Sequence, residues 1–151
     1  MNKQSYGLAA QGGALPVSRY KTKLNLNERV AVSACWQVER RQTKHYFARM
    51  CDSLQQQRSL QGKSTQYYHY SNESRMLNKL LLGVDSKSWL ASRGLCGQVR
   101  DHLTEMQLSY LAYLERCNAD LIDAGLVFSE RKRKLAIMLS YHTASAAMGD
   151  K

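Results

Sequence analysis

The sequence TEMQLSYLAYLERCNADLIDAGL (residues 104–126) carries the clearest helix signal in the chain. Thr104 and Gln107 have the spacing of a capping box, in which each side chain satisfies a free backbone amide at the start of a helix. Gly125 is expected to end the helix, because glycine adopts the left-handed conformation without strain. The apolar residues between them recur at helical spacing. They predict a buried stripe of Leu108, Leu111, Leu114, Leu121 and Ile122.

Further helices are predicted on both sides of this segment. Before it, Ser71 or Asn72 is expected to cap a helix that ends at Gly83, and Ser86 a short turn. After it, a last helix is expected over about residues 129–147. Their predicted core residues are Met76, Leu77, Leu80, Leu81, Trp89, Leu90, Leu135, Met138, Leu139 and His142. The sequence therefore predicts a mainly α fold, a small helical bundle.

Residues 27–60 contain no glycine or proline, which favours helix, with Asn27 as its N-cap. The apolar spacing lapses across residues 39–42. The lapse fits either two helices, the second capped by Thr43, or one long helix with a polar middle. The apolar residues are Val30, Ala34 and Val38 before the lapse, and Phe47, Met50, Cys51 and Leu54 after it.

Residues 1–14 contain three glycines and little periodicity, and are interpreted as a flexible arm. Residues 20–26 alternate in character. In an extended strand, Lys21, Lys23 and Asn25 would share one face, and the tyrosine, threonine and leucines the other. The alternative is a basic loop. The first half therefore adds either a short N-terminal β-strand or a loop to the helical bundle.

The positive charge is concentrated in the first half of the chain. The net charge is +10. Residues 1–70 hold 11 basic residues against three acidic ones, a net of +8, and residues 71–151 hold 11 against nine, a net of +2. Such asymmetry indicates a polyanionic partner for the first half. We therefore predict an arm (1–14), a basic DNA-binding region (15–62), a linker (63–70) and a helical region for assembly (71–151).

A basic cluster in the first half is the strongest candidate for binding. On a helix, Arg41, His45 and Arg49 are spaced by four residues and form one stripe. Arginine binds phosphate through hydrogen bonds from two of its nitrogens, and lysine supplies a positive charge on a flexible side chain. The alternative is an ordinary solvated helix face. The residues predicted to contact DNA are Arg19, Lys21, Lys23, Asn25, Arg40, Arg41, Lys44, His45 and Arg49.

Other polar residues have a structural and a functional interpretation. The basic run 131–134 is either a solvated helix start or a site for a negatively charged partner. Asn118 adjoins the apolar stripe and is expected to be buried and hydrogen-bonded. Arg100 and Asp101 are expected to pair or to cap a helix. Three tyrosines in the linker would either stack on bases or pack at the hinge: Tyr67, Tyr68 and Tyr70.

No sequence motif predicts an enzyme. We find no nucleophile paired with a base, no carboxylate cluster and no glycine-rich phosphate loop, so no cofactor is expected. The cysteines lack metal-site spacing and are predicted to be buried, reduced thiols: Cys35, Cys51, Cys96 and Cys117. Without a membrane-length apolar run or a signal-peptide pattern, a location in the bacterial cytoplasm is expected.

Two stretches in the second half carry a dense series of motifs: SNESRMLNKLLLGVDSKSW (residues 71–89) and QVRDHLTEMQLSYLAYLERCNADLIDAGL (residues 98–126). They resemble the C-terminal region of KilA-N-type phage regulatory and antirepressor proteins, over about half of the chain. The resemblance implies a mobile-element origin and an accompanying N-terminal DNA-binding domain. Related modules occur in phage-encoded endonucleases.

The first half lacks the KilA-N motifs and resembles, in order of elements, a ribbon-helix-helix repressor. The elements are the strand 20–26, a helix from Asn27, and TKHYFARMCDSL (residues 43–54) as the second helix. In that fold two chains pair their strands into a ribbon that enters the major groove. The resemblance implies a homodimer. The intervening turn lacks the usual glycine.

The sequence thus predicts a sequence-specific, homodimeric repressor of phage, phage-satellite or mobile-element origin that binds double-stranded DNA. The alternative is an antirepressor-like module whose C-terminal half binds a host or phage regulator. A third hypothesis is nonspecific binding of RNA or single strands through the tyrosines.

Overall fold

The computed structural model describes residues 26–149, with side chains from residue 34 onward. This part forms five α-helices: α1 (Leu26–Leu60), α2 (Tyr67–Leu82), α3 (Ser86–Ser92), α4 (Glu105–Asp123) and α5 (Phe128–Gly149). A 3-10 turn covers Val99–Asp101, and residues 26–149 include no strand. The predicted mainly α bundle is therefore confirmed. The predicted arm (1–14) and positions 20–25 of the predicted strand lie outside the described residues.

Helix α1 is uninterrupted, so the second alternative, one long helix, is correct. Its 35 residues make it about 52 Å long. Thr43 is buried inside this helix, where its hydroxyl donates a hydrogen bond of 2.9 Å to the Arg40 carbonyl. The prediction that Thr43 caps a second helix is wrong. The turn that a ribbon-helix-helix arrangement requires is absent from residues 39–43.

The buried face of α1 differs from the predicted one before the polar middle. Ala34 is exposed, and Val38 is 45% exposed. Trp36 packs against the core instead, and its indole nitrogen donates a hydrogen bond of 2.9 Å to the Leu103 carbonyl. Two residues turn a helix by about 200°, so burial of Trp36 directs Val38 toward solvent. The second apolar group is confirmed, because Met50 and Leu54 are buried and Phe47 packs against them.

Helices α1 and α4 run parallel and form the centre of the core. Trp36 bonds to Leu103 before the start of α4, and Gln57 donates a hydrogen bond of 3.1 Å to the Asp123 carbonyl at its end. Residue numbers therefore increase in the same direction along both helices. The predicted stripe of α4 is confirmed: Leu108, Leu111, Leu114 and Ile122 are buried, and Leu121 packs beside them.

The start and the end of α4 follow the predicted local chemistry. The Thr104 hydroxyl accepts a hydrogen bond of 3.1 Å from the Gln107 amide, and the Thr104 amide donates one of 2.9 Å to the Gln107 side chain. The predicted capping box is therefore confirmed. Gly125, with φ of +83°, follows the helix as expected.

Helix α2 begins earlier than predicted. Tyr67 is its first residue and Gln66 its N-cap, so the prediction of Ser71 or Asn72 is wrong. His69 Nδ1 accepts a hydrogen bond of 2.9 Å from the Gln66 amide. The next helix, α3, is capped by Asp85 and not by Ser86. Residues 67–70 of the predicted linker thus form the first turn of α2.

The cysteines differ in exposure. Cys117 is buried and Cys51 half-buried, whereas Cys35 and Cys96 are exposed, so the prediction of four buried thiols is wrong for two of them. Burial raises the pKa of the Cys51 thiol to about 11. Within residues 34–149, no group of histidine, cysteine, aspartate or glutamate side chains is placed to hold a metal ion. None of the helices described is long and apolar enough to cross a membrane.

Candidate nucleic-acid interface

A groove of about 1110 Å³ opens between α1, α2, α3 and the 3-10 turn. Its wall carries six cationic side chains and the single carboxylate of Asp101. We call it the cationic groove. Its cations come from four separate elements and are Arg40, Arg41, Lys44, Arg75, Lys87 and Arg100.

Helix α1 supplies the three cations that the sequence predicted at this surface. Arg41 and Lys44 are exposed, as are Arg75 and Lys87 from the facing elements. Arg40 contacts Asp101 Oδ1 through Nη2 at 3.1 Å and through Nε at 3.3 Å. This exposed pair contributes little to stability, but it neutralises the only carboxylate among the described residues that line the groove. The remaining cations face no acidic partner among the lining residues.

The other two residues of the predicted stripe lie outside the cationic groove. Arg49 Nη2 contacts Asp120 Oδ1 at 2.6 Å and Asp123 Oδ2 at 3.7 Å, both on α4. The hydrogen bond to Asp120 raises the pKa of Arg49. Eight residues advance a helix about 80° beyond two full turns, so Arg49 points toward α4 while Arg41 points to the groove. Arg41 and Arg49 thus face different surfaces, and the predicted DNA contacts of His45 and Arg49 stay predictions.

Arg100 is the most enclosed cation of the groove. Its guanidinium lies 4.7 Å from the centre of the Phe47 ring, and Nη2 is 2.5 Å from Glu115 Oε1. Glu115 is completely buried, and this burial raises its pKa to about 7 although Arg100 opposes the shift. The predicted pairing of Arg100 with Asp101 is wrong, because Arg100 forms an ion pair with Glu115 on α4 and donates a hydrogen bond to the Thr43 carbonyl, whereas Asp101 pairs with Arg40.

Two of the three tyrosines at the start of α2 line the cationic groove, and the third lies outside it. Tyr67 is 83% exposed and lines the groove, as does the half-buried Tyr70, which packs against the core. Tyr68 is exposed, and its ring lies 4.1 Å from that of His69 outside the groove. Only Tyr67 thus offers an open ring beside the cations.

A buried polar network lies between α1, α2, α4 and α5. Arg131 is 4% exposed and bonds to both oxygens of Glu73, at 2.7 and 2.8 Å, and to Asn118 Oδ1 at 2.7 Å. Asn118 Nδ2 donates to Glu73 Oε2 at 2.8 Å. The prediction for Asn118 is confirmed, whereas neither interpretation of the run 131–134 holds for Arg131. The sequence analysis assigns no partner to Glu73, although this residue shares a helical face with Leu77, where an acidic residue requires a buried partner.

A scan against models of protein families, a search of curated proteins and a search of solved structures find no match to this chain. The groove must therefore be interpreted from its own chemistry. Its excess of cations, its exposed Tyr67 and its position across several elements are suited to a ligand that carries several negative charges.

Proposed function

We propose that this protein binds double-stranded DNA through the cationic groove and regulates transcription. One observation carries the proposal: six cations from four elements line a single groove, and only Arg40 and Arg100 have an acidic partner, Asp101 and Glu115, among the described residues. A stable fold gains nothing from such a concentration of like charge, because like charges repel. A phosphate backbone would supply the missing counter-charges and release its own counterions on binding.

The exposed cations are suited to two kinds of contact. Arg41 and Arg75 carry guanidinium groups, which bind phosphate oxygens or guanine edges through two nitrogens. Lys44 and Lys87 supply point charges for phosphates. Phosphate contacts fix position and base contacts specify sequence, so arginines of this groove are the candidates for base recognition.

The regulatory role rests on the resemblance of residues 71–126 to KilA-N-associated regions. Regulators of this kind commonly bind as dimers to two-fold operators, and a homodimer would double the number of grooves per site. Four further residues are predicted to contact DNA and lie outside the described residues: Arg19, Lys21, Lys23 and Asn25. A selection of bound sequences from random duplexes should recover a palindrome, and selection without any sequence preference would contradict the specific repressor.

Charge reversal in the groove tests DNA binding directly. We expect the double substitution Arg41→Glu and Lys44→Glu to weaken binding of a mixed-sequence duplex about 100-fold near physiological salt. The plot of log association constant against log salt concentration should become less steep by about two units of slope, because two phosphate contacts are lost. Fluorescence anisotropy over a series of salt concentrations measures both quantities.

A matched variant separates the groove from the general charge of the protein. Arg133→Glu with Lys134→Glu makes the same change in net charge on α5, where both residues are exposed and outside the groove. It should weaken binding much less. Equal losses in the two variants would mean that only overall charge attracts DNA, and the groove would not be the interface.

Tyr67 favours a second candidate function, binding of single-stranded nucleic acid. Its open ring lies in the same groove as the cations, an arrangement that stacks bases while the cations hold the backbone. If single strands are the ligand, Tyr67→Ala should weaken their binding about tenfold or more, since a stacked base contributes roughly 1–3 kcal/mol. Duplex binding should be unchanged. Competition between single-stranded and duplex probes decides between the two functions.

A further inference from the structure

A second cleft, of about 820 Å³, lies between the end of α1, helix α2, the end of α4 and the first turn of α5. Its wall combines apolar and cationic side chains, and we call it the amphipathic cleft. Leu80 and Leu126 are half-buried within it. Val127 is 60% and Phe128 41% exposed, which is unusual for large apolar side chains that lie next to each other.

Cations surround this apolar surface. Lys79 and Lys132 are exposed, and Arg58 is held in place by two hydrogen bonds, of 2.8 and 3.1 Å, from its guanidinium to the Ser64 carbonyl. The only carboxylate among the lining residues is Glu73, and Arg131 already binds both of its oxygens. The edge of the cleft is therefore positively charged.

We propose that the amphipathic cleft binds an acidic, amphipathic segment of a partner protein. Apolar side chains of the segment cover Val127 and Phe128, and its carboxylates face the cations at the edge. The cleft has the size of a ligand site, which is roughly 300–1,000 Å³, and it is open enough for a peptide. An amphipathic helix bound in an apolar groove is a recurrent mode of peptide recognition.

Charge disfavours the other occupants within this protein. A second copy has a net charge of +10, so it offers no excess of carboxylates to match the positively charged edge of this cleft. Residues 1–25 have no acidic side chain, and their charged residues are Lys3, Arg19, Lys21 and Lys23. Nucleic acid would leave the apolar surface uncovered. An acidic segment with apolar side chains matches both components of the cleft.

Designed peptides test this proposal on the full chain. The probe is a labelled peptide of about 14 residues with leucine at helical spacing and glutamate elsewhere. In one matched peptide serine replaces each leucine, and in another lysine replaces each glutamate. The leucine–glutamate peptide should bind with a Kd in the micromolar range and about tenfold or more tighter than either matched peptide. Equal binding of the serine peptide would overturn the proposal.

Substitutions locate the binding on the protein. Lys79→Glu with Lys132→Glu should weaken peptide binding about tenfold or more, and so should Val127→Ser. Arg133→Glu with Lys134→Glu is the charge-matched control outside the cleft. If the control variant weakens binding as much as the cleft variants, the proposal is wrong.

Two further results complete the test. Val84 is 45% exposed and does not line the cleft, so Val84→Ser controls for loss of an exposed valine and should leave peptide binding unchanged. Charge reversal at Arg41 and Lys44 should also leave it unchanged, which separates this proposal from DNA binding. Binding of phosphatidylglycerol vesicles without binding of the peptide would overturn the proposal in favour of a lipid surface.

Discussion

Replacing Arg131 with methionine should lower the free energy of unfolding by about 3–5 kcal/mol. Arg131 donates two hydrogen bonds to Glu73, one to Asn118 and one of 3.1 Å to the Leu126 carbonyl. Methionine fills similar space but leaves the Glu73 carboxylate, which is 3% exposed, without a counter-charge in the core. Since small domains have a total stability of about 5–15 kcal/mol, the variant should be close to unfolding.

Urea unfolding followed by circular dichroism measures this loss. Arg133→Met is the matched control, because Arg133 lies on the same helix and is exposed, and a surface change of this kind alters stability by about 0.5 kcal/mol or less. Adding Glu73→Gln to Arg131→Met should restore part of the loss, because a neutral amide is less costly to bury than a carboxylate. Equal losses in the Arg131 and Arg133 variants would show that the network contributes nothing.

Stability should also fall by up to about 3 kcal/mol as the pH rises from about 4.5 to about 7, because of Glu115. Its pKa in the folded chain is about 7, against an ordinary value of 4.5 for a solvated glutamate. Between these values the folded chain keeps a proton that the unfolded chain has released. In this range, each rise in pH therefore lowers the free energy of unfolding. Above about pH 7 Glu115 is ionised in both states, and the folded chain bears the full free-energy cost of burying the charged carboxylate.

The geometry around Glu115 explains why Arg100 does not cancel this cost. The ion pair is close, but the loss of solvation of the buried carboxylate is the larger effect, and it keeps the pKa of Glu115 raised against the charge and hydrogen bond of Arg100. The pKa of Asp85 shifts in the opposite direction, because hydrogen bonds from Ser88 lower it below the ordinary value of an aspartate. The two residues thus act in different ranges of pH.

Urea unfolding at several pH values, with wild type and Glu115→Gln in parallel, checks this expectation. The glutamine variant cannot titrate at this position, so its stability should depend less on pH over the range from about 4.5 to 7. Glu105→Gln is the control, because Glu105 is exposed in the first turn of α4. Parallel profiles for wild type and Glu115→Gln would contradict the raised pKa.

The parts of the fold that were predicted correctly depend on local sequence. The capping box and the stripe of α4 and the glycine that follows it are all encoded within residues 104–126, so the spacing of these residues is enough to predict the helix. The buried face of α1 depends instead on the bond from Trp36 to Leu103, 67 residues away. The start of α2 was missed because its cap is formed by Gln66 and His69, a pair that standard N-cap preferences do not include.

The candidate site likewise combines residues that local sequence predicts with residues that only the fold brings together. Arg40, Arg41 and Lys44 were found because they are adjacent in sequence and basic. Their partners across the groove, such as Arg75 and Lys87, come from separate helices, and no spacing rule relates them. The sequence also does not show which distant acidic residue pairs with a given cation: Asp120 pairs with Arg49, and Glu73 with Arg131.

A ribosome completes α1 long before it completes α4. Met50 and Asn118, which touch in the folded core, are 68 residues apart. Protein synthesis proceeds at about 5–20 residues per second. The apolar face of α1 is therefore exposed for several seconds before α4, its parallel partner, has been synthesised. Nascent chains are open to chaperones and to self-association during such an interval. Released on its own, the segment 15–62 would keep that face uncovered permanently.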